Sequence, residues 1–189
     1  AAEIPEAFGG SGADSVTAGL IIEAISYADL NVGYVPLLTG LVGAILVEHA
    51  EPTIAHAVVS DACAGKTLLA LALTEPGGGS DAANLRLKAH RTNRGYLLNG
   101  EKTSISIADQ ADAVLVFART GTEEERAHGI SAFLVSRDTP GLTTTPFDDL
   151  GSRSVGRGSM FFDDVRVGDA ALIGTEGAGF RQVMGGFDY

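Results

Sequence analysis

Two stretches hold most of the side chains that could do chemistry. The first, Leu73-Thr74-Glu75-Pro76-Gly77-Gly78-Gly79-Ser80-Asp81, joins an apolar run to a glycine-rich loop with a hydroxyl near each end. Leu68 to Leu73 has the length of a strand, Pro76 blocks further ladder pairing, and three glycines let main-chain N–H groups come close to a ligand. Thr74 and Ser80 add side-chain donors. Loops of this kind hold phosphates or other acceptor-rich ligands, and they also serve as plain turns on edge strands. The second stretch, Asn99-Gly100-Glu101-Lys102-Thr103-Ser104-Ile105-Ser106, reads as a turn entering a strand. Period-two alternation puts Ser104 and Ser106 on the same side, so the two hydroxyl-bearing strands could flank one flat ligand.

The remaining titratable groups read as structural. Asp81 is placed to cap a turn, and Glu75 to pair with a surface Arg. His90 falls in an alternating strand and His128 in a polar loop, and no His, Cys or carboxylate cluster has metal-ligand spacing, so no metal is expected. Cys63, the single cysteine, cannot form an internal disulfide and lies at a helix end with no basic neighbour, as a buried structural thiol does. Thr122 to Arg126 reads as a solvated loop tip. A net charge of −11 disfavours nucleic acid as a partner, although it leaves room for a small phosphorylated ligand held by N–H groups and a few Arg.

The elements that must position these stretches divide the chain. With 189 residues and 45% apolar content it can bury a core. After Asp14 and Ser15 as N-cap candidates, Val16, Leu20, Ile21, Ala24, Ile25 and Ala28 form one helical face. A second helix is expected after Pro36 and a third from Pro52 to near Gly65, the three packing together or against a neighbour. From Thr67 the pattern turns to about eight short strands, including a hairpin around Asn93-Arg94-Gly95. After Gly174 to Gly179, Phe180, Val183, Met184 and Phe187 resume a helical face. The fold expected is α+β: N-terminal helices (1–66), a middle antiparallel β-barrel or two-sheet domain (67–173), and the first helix of a C-terminal helical bundle (174–189). The Leu37 to Val47 run is too short for a membrane span, and the ends look trimmed, with neither a signal peptide nor an initiator Met.

In their order, several motifs resemble the acyl-CoA dehydrogenases: Pro5-Glu6-Ala7-Phe8-Gly9-Gly10, Leu73 to Asp81, Asn99-Gly100-Glu101-Lys102, Ala118-Arg119, Phe161 to Val167, and Gly177-Ala178-Gly179-Phe180. The resemblance implies a flavoprotein that binds FAD and acyl-CoA. Cofactor contacts then fall to Leu71, Leu73, Thr74, Gly79, Ser80, Ser104, Ile105 and Ser106. Thr74 and neighbouring N–H groups would face the N1/O2 edge of the ring, Ser106 the N5 region, and Ser104 would lie over the ring. Ser80, Phe187 and Asp188 would line the path of the thioester and CoA.

The chemistry so implied is α,β-dehydrogenation: a carboxylate takes the α-proton while hydride leaves the β-carbon. The family's base lies beyond Tyr189, so no catalytic residue is expected in this chain. Electrons would pass to an electron-transfer flavoprotein. An acyl-CoA oxidase using O2, or a non-catalytic acyl-CoA or flavin-binding module, are the alternatives. A homodimer or homotetramer in the cytoplasm, or in the mitochondrial matrix of a eukaryote, would complete the picture. Four positions depart from the family: Ser104 replaces a large aromatic, Leu71 a Tyr or Phe, Ile107 a polar residue and Gly168 a Pro. Lost stacking removes about 0.5–1.5 kcal/mol beyond area burial, and the thinner cover would widen the pocket for a cyclic or branched acyl group.

Overall fold

The structure, a computed structural model, describes residues 1–187. Helix α1 (Ser15–Ala28) begins where Asp14 accepts the Thr17 N–H at 2.8 Å, a cap worth about 1 kcal/mol. Asp29 is extended; it ends α1, and its carboxylate takes the Asn31 N–H at 2.8 Å to open α2 (Leu30–His49). The second helix therefore starts well before Pro36, which lies inside it and leaves one carbonyl of the preceding turn without its donor. Helix α3 (Pro52–Cys63) has Pro at its first turn and ends near Gly65, which takes a positive φ of 72°.

Both α1 and α3 pack on α2. By length and composition α2 could cross a membrane, its mean hydropathy being 1.9, contrary to the expectation from the shorter Leu37–Val47 run. Here Leu38, Val42, Ile45 and Leu46 are buried instead, the packing of a core helix. On α1 the expected apolar face is not covered: Val16, Leu20 and Ile21 are exposed and only Ala18 is buried. Cys63 is half-buried, which raises its thiol pKa by desolvation.

Among the described residues eight strands follow: β1 (Leu69–Ala72), β2 (Lys88–Thr92), β3 (Gly95–Ile105), β4 (Ala113–Arg119), β5 (Ile130–Ser136), β6 (Leu142–Pro146), β7 (Gly158–Val167) and β8 (Leu172–Ile173). Along the sheet the order is β6-β7-β3-β2-β4-β5-β8, and β1 also pairs with β4. Most pairs are antiparallel, but β1 runs parallel to β4 through Leu69 to Ala72, and β2 meets β4 in parallel only at Lys88 and Arg119. The sheet thus folds over at the end of β4, and the segment joining β1 to β2, which carries the glycine loop, sits at that seam.

Strand β4 is buried on both faces, which explains its nearly continuous apolar run. Val114, Val116 and Ala118 join an inner core with Tyr96, Leu98, Phe133, Met160 and Phe162. Leu115 and Phe117 join a second core with Val42, Ile45, Val59 and Val183, which binds the sheet to the helices. Helix α4 (Gly179–Phe187) begins hard against β5, because a Cβ at Gly179 would meet the Ser131 and Ala132 backbone. Tyr96 ties the approach to α4 by donating to Glu176 at 2.7 Å while accepting from Arg91 at 2.6 Å.

Arg119 closes the seam. Its buried guanidinium donates to the carbonyls of Leu85 (2.9 Å), Ala83 (3.0 Å), Thr122 (2.9 Å) and Arg126 (3.1 Å). The Thr122 to Arg126 tip is thereby anchored by its own backbone to the segment behind the glycine loop. Removing this fork leaves several carbonyls without donors, so Arg119→Met should lower stability by about 3 kcal/mol in urea titration. Lys, a point donor on a shorter reach, should recover less than half of that loss.

Candidate functional site

The glycine loop is held by a buried ion pair. Glu75 accepts from the Arg86 N–H at 2.6 Å, the Leu87 N–H at 2.8 Å and the Lys102 ammonium at 2.8 Å. Lys102, with no exposed surface, also donates to the Leu73 carbonyl at 2.9 Å, and the next N–H of β3, that of Thr103, donates to Thr74 O at 2.8 Å. The expected partner of Glu75, a surface Arg, is therefore replaced by this inward lysine. Burial draws the Lys102 pKa from 10.5 down to about 8, while the Glu75 charge and hydrogen bond pull it upward. Asp81 makes no side-chain cap; it pairs with Arg126 at 3.0 Å on the surface.

Two bulges aim the end of β3. From Leu98 to Gly100 the pairing with β7 advances from Val165 to Phe162, so the extra residue is on β7, where Asp164 takes a φ of 51°. Asn99 clamps it, donating to the Asp164 carboxylate at 3.0 Å and accepting its N–H at 2.9 Å. From Lys102 to Ile105 the partner advances only from Met160 to Gly158, so the extra residue is on β3: Ser104, with a φ of 57°. The bulge turns Ile105 into the core, at 2% exposure, and leaves Ser104 exposed. The simple alternation of Ser104 with Ser106 fails for this reason. Strand β3 ends at Ile105, and Ser106 lies half-buried in the turn that follows.

Two cavities flank these segments. One, of about 60 Å³, is lined by Leu73, Thr74, Glu75 and Gly77 to Gly79. The other, of about 590 Å³, is lined by Tyr34 of α2, Ser106, Val155, Asp149 and Arg157, and only this one has the size of a small-molecule site. Arg157 grips Asp149 through two bonds of 2.8 and 3.0 Å and lies over the Phe147 ring. That contact holds the Asp149 carboxyl below its usual pKa and raises the guanidinium.

The predicted contacts distribute unevenly. Leu73, Thr74 and Gly79 line the small cavity, and Ser80 lies exposed next to them. Leu71 is half-buried in β1, and the Ile105 side chain belongs to the core, so only its backbone could face a ligand. Phe187 ends α4 half-exposed and is not among the residues lining either cavity. Asp188 lies outside the described residues. Tyr34 and Arg157 carry no local signal in the sequence, and Lys102 stands there only within a motif, without a role. Among the described residues no group of three or more His, Cys, Asp or Glu could hold a metal ion.

The loop fits a ligand approached by main chain. At Gly77 and Gly78 an added Cβ would meet nothing within 4 Å, at Gly79 only Thr74 Cγ2 at 3.9 Å. None of the three is among the glycines at positive φ. Neither packing nor backbone strain within the chain accounts for glycine there.

N-terminal helices against a folded-over β domain with this loop define a recurrent architecture, and comparison with known proteins identifies it. The acyl-CoA dehydrogenase N-terminal domain profile matches residues 1–66 and the acyl-CoA dehydrogenase middle domain profile residues 70–165. An acyl-CoA dehydrogenase of Bacillus subtilis is 38% identical over 185 residues, 96% of this chain and 48% of that protein. A mitochondrial isobutyryl-CoA dehydrogenase of Dictyostelium discoideum is 36% identical over 186 residues, 96% of this chain and 44% of that protein. Butyryl-CoA dehydrogenase of Megasphaera elsdenii superposes with a TM-score of 0.91 at 30% identity, covering 99% of this chain and 50% of that one. The chain belongs to the acyl-CoA dehydrogenase family. It spans about half the length of the curated relatives it matches.

The buried pair gives a pH test. The folded-state pKa of Lys102, about 8, lies below its ordinary 10.5, so between those values the unfolded chain binds more protons and stability rises with pH. This contribution is present in full above 10.5 and lost as pH falls through 8. Urea titrations below pH 8 and near pH 10 should therefore show the difference between wild type and Lys102→Met/Glu75→Gln, which removes both charges, moving toward the wild type by about 2 kcal/mol at the higher pH.

Proposed function

We propose that this chain forms the flavin-facing half of an FAD-dependent enzyme that converts an acyl-CoA thioester to the 2-enoyl-CoA, with electrons passed to an electron-transfer flavoprotein. The observation that carries it is the pair of bonds from Lys102 and Thr103 to the Leu73 and Thr74 carbonyls, which bring the glycine loop and the Ser104 to Ser106 turn to one edge. FAD supplies the hydride acceptor when bound. The chain's own part is to hold it: Thr74 and the loop N–H groups would face the N1/O2 edge, and Ser106 the N5 side, beside the larger cavity. Neutral donors suit this task because they add no titrating group.

The acyl group would enter past Ser80 and occupy space bounded by Tyr34 and Val155. Ser104, in place of a large aromatic, thins the apolar cover expected over the flavin, in keeping with a branched or cyclic acyl group. The branched substrate in the name of the Dictyostelium relative points the same way. We place the carboxylate base outside residues 1–189 and keep the division into 1–66, 67–173 and 174–189. The exposed apolar face of α1 supports a homodimer or homotetramer, in which it would be covered.

Full-length protein should be yellow, should bleach anaerobically on addition of acyl-CoA, and should turn over isobutyryl-CoA at least as well as butyryl-CoA. A protein that takes up no FAD overturns the flavin reading. Stoichiometric hydrogen peroxide in air would assign an oxidase, and bound flavin that no acyl-CoA bleaches a non-catalytic module. Turnover of straight chains alone would remove the branched preference.

A further inference from the structure

Lys102 does more than anchor a loop. The carbonyl it binds, Leu73 O at 2.9 Å, belongs to the same peptide unit as the Thr74 N–H. Among the described residues no peptide bond is cis, so that N–H leaves the unit on the side opposite Lys102. A buried cation on the carbonyl pulls electron density through the amide and strengthens the N–H as a donor, an effect that water does not screen at a site with no exposed surface. The adjoining unit is polarised in the same sense, because Thr103 N–H binds Thr74 O at 2.8 Å. Glu75 keeps the ammonium charged and in place, yet its own charge is shared with the Arg86 and Leu87 N–H groups on the far side of the pair.

We propose that Lys102 is a positioning residue that, through the Leu73–Thr74 peptide, makes the Thr74 N–H a stronger donor to the flavin and so favours reduced over oxidised FAD; this rests on the flavin reading above. The predicted signature is selective. The N1/O2 edge is richer in electrons in reduced than in oxidised flavin, so a polarised donor discriminates between the two forms. A residue that merely shapes the loop would affect both forms alike.

The test uses full-length holoprotein. Lys102→Met removes the cation but leaves Glu75 buried without its counter-charge and could fail to fold, so Lys102→Met/Glu75→Gln, which removes both charges, is measured beside it. Affinity for oxidised FAD is read by fluorescence titration, and the two-electron midpoint potential by dye equilibration. The expected result is oxidised-FAD affinity within threefold of wild type and a preference for reduced FAD weakened about tenfold, seen as a potential about 30 mV more negative. An unmoved potential, with or without lost affinity for oxidised FAD, overturns the inference and leaves the flavin reading standing. Wild-type protein that binds no FAD would defeat both, and is distinguished by that control.

Discussion

The contact on which the rest depends is the buried bond between Lys102 and Glu75. Desolvating two ions costs several kcal/mol each, and their attraction repays it only when the remaining donors and acceptors are also satisfied. The carboxylate accepts two backbone N–H groups besides the ammonium, and the ammonium donates to a backbone carbonyl as well as to the carboxylate. Those backbone groups come from two pieces of the seam, the Leu73 carbonyl from just after β1 and the Arg86 and Leu87 N–H groups from the approach to β2. Strands β2 and β3 already pair, but Pro76 blocks ladder pairing after β1, and the ion pair ties that segment to β3. Arg119 does the same a few residues further on, again by binding carbonyls with a buried cation.

Beyond that knot the end of β3 is strained. Ser104 and Ile107 both take positive φ, at 57° and 53°, a conformation that costs about 1–2 kcal/mol for a residue with a Cβ. Ile107 offsets its share by burial, at 4% exposure, and by donating its N–H to Val155 at 2.9 Å. Ser104 is exposed and has no such burial. Its strain survives because Lys102 before it and Ile105 after it are both fixed in the interior. The same constraint delivers Ser106 to the mouth of the larger cavity, since an unbulged strand would have carried it inward.

Much of the fold was legible in the residues. Asp14 was visible as a cap, the hairpin around Asn93-Arg94-Gly95 as a turn between strands, and the glycine loop with its flanking hydroxyls as a unit. The errors have local causes. Leu30-Asn31-Val32-Gly33 carries a weak helical pattern, so the start at Asp29 was hidden behind the stronger signal of Pro36. The bulge at Ser104 gave no sign because glycine, which marks such positions, is absent there, and so the shared side expected for Ser104 and Ser106 fails. Lys102 could have been found: it shares the parity of Leu98 on an alternating strand, and a lysine on the apolar side needs an anion within reach, which Glu75 provides. Tyr34 and Arg157 meet Ser106 from distant parts of the chain, and no local pattern announces such a meeting.

The three glycines show where the chain's own energetics stop. Each gives up more backbone freedom on folding than alanine would, by roughly 0.5–1 kcal/mol, and at Gly77 and Gly78 no neighbouring atom would obstruct a side chain. A loop shaped only for the stability of this chain would carry alanine or serine there. Glu75 and Lys102 meanwhile make the root of the loop rigid, so its tip is open without being unanchored. A rigid root under a bare main-chain tip is the form required of a surface that must come within hydrogen-bonding distance of something flat.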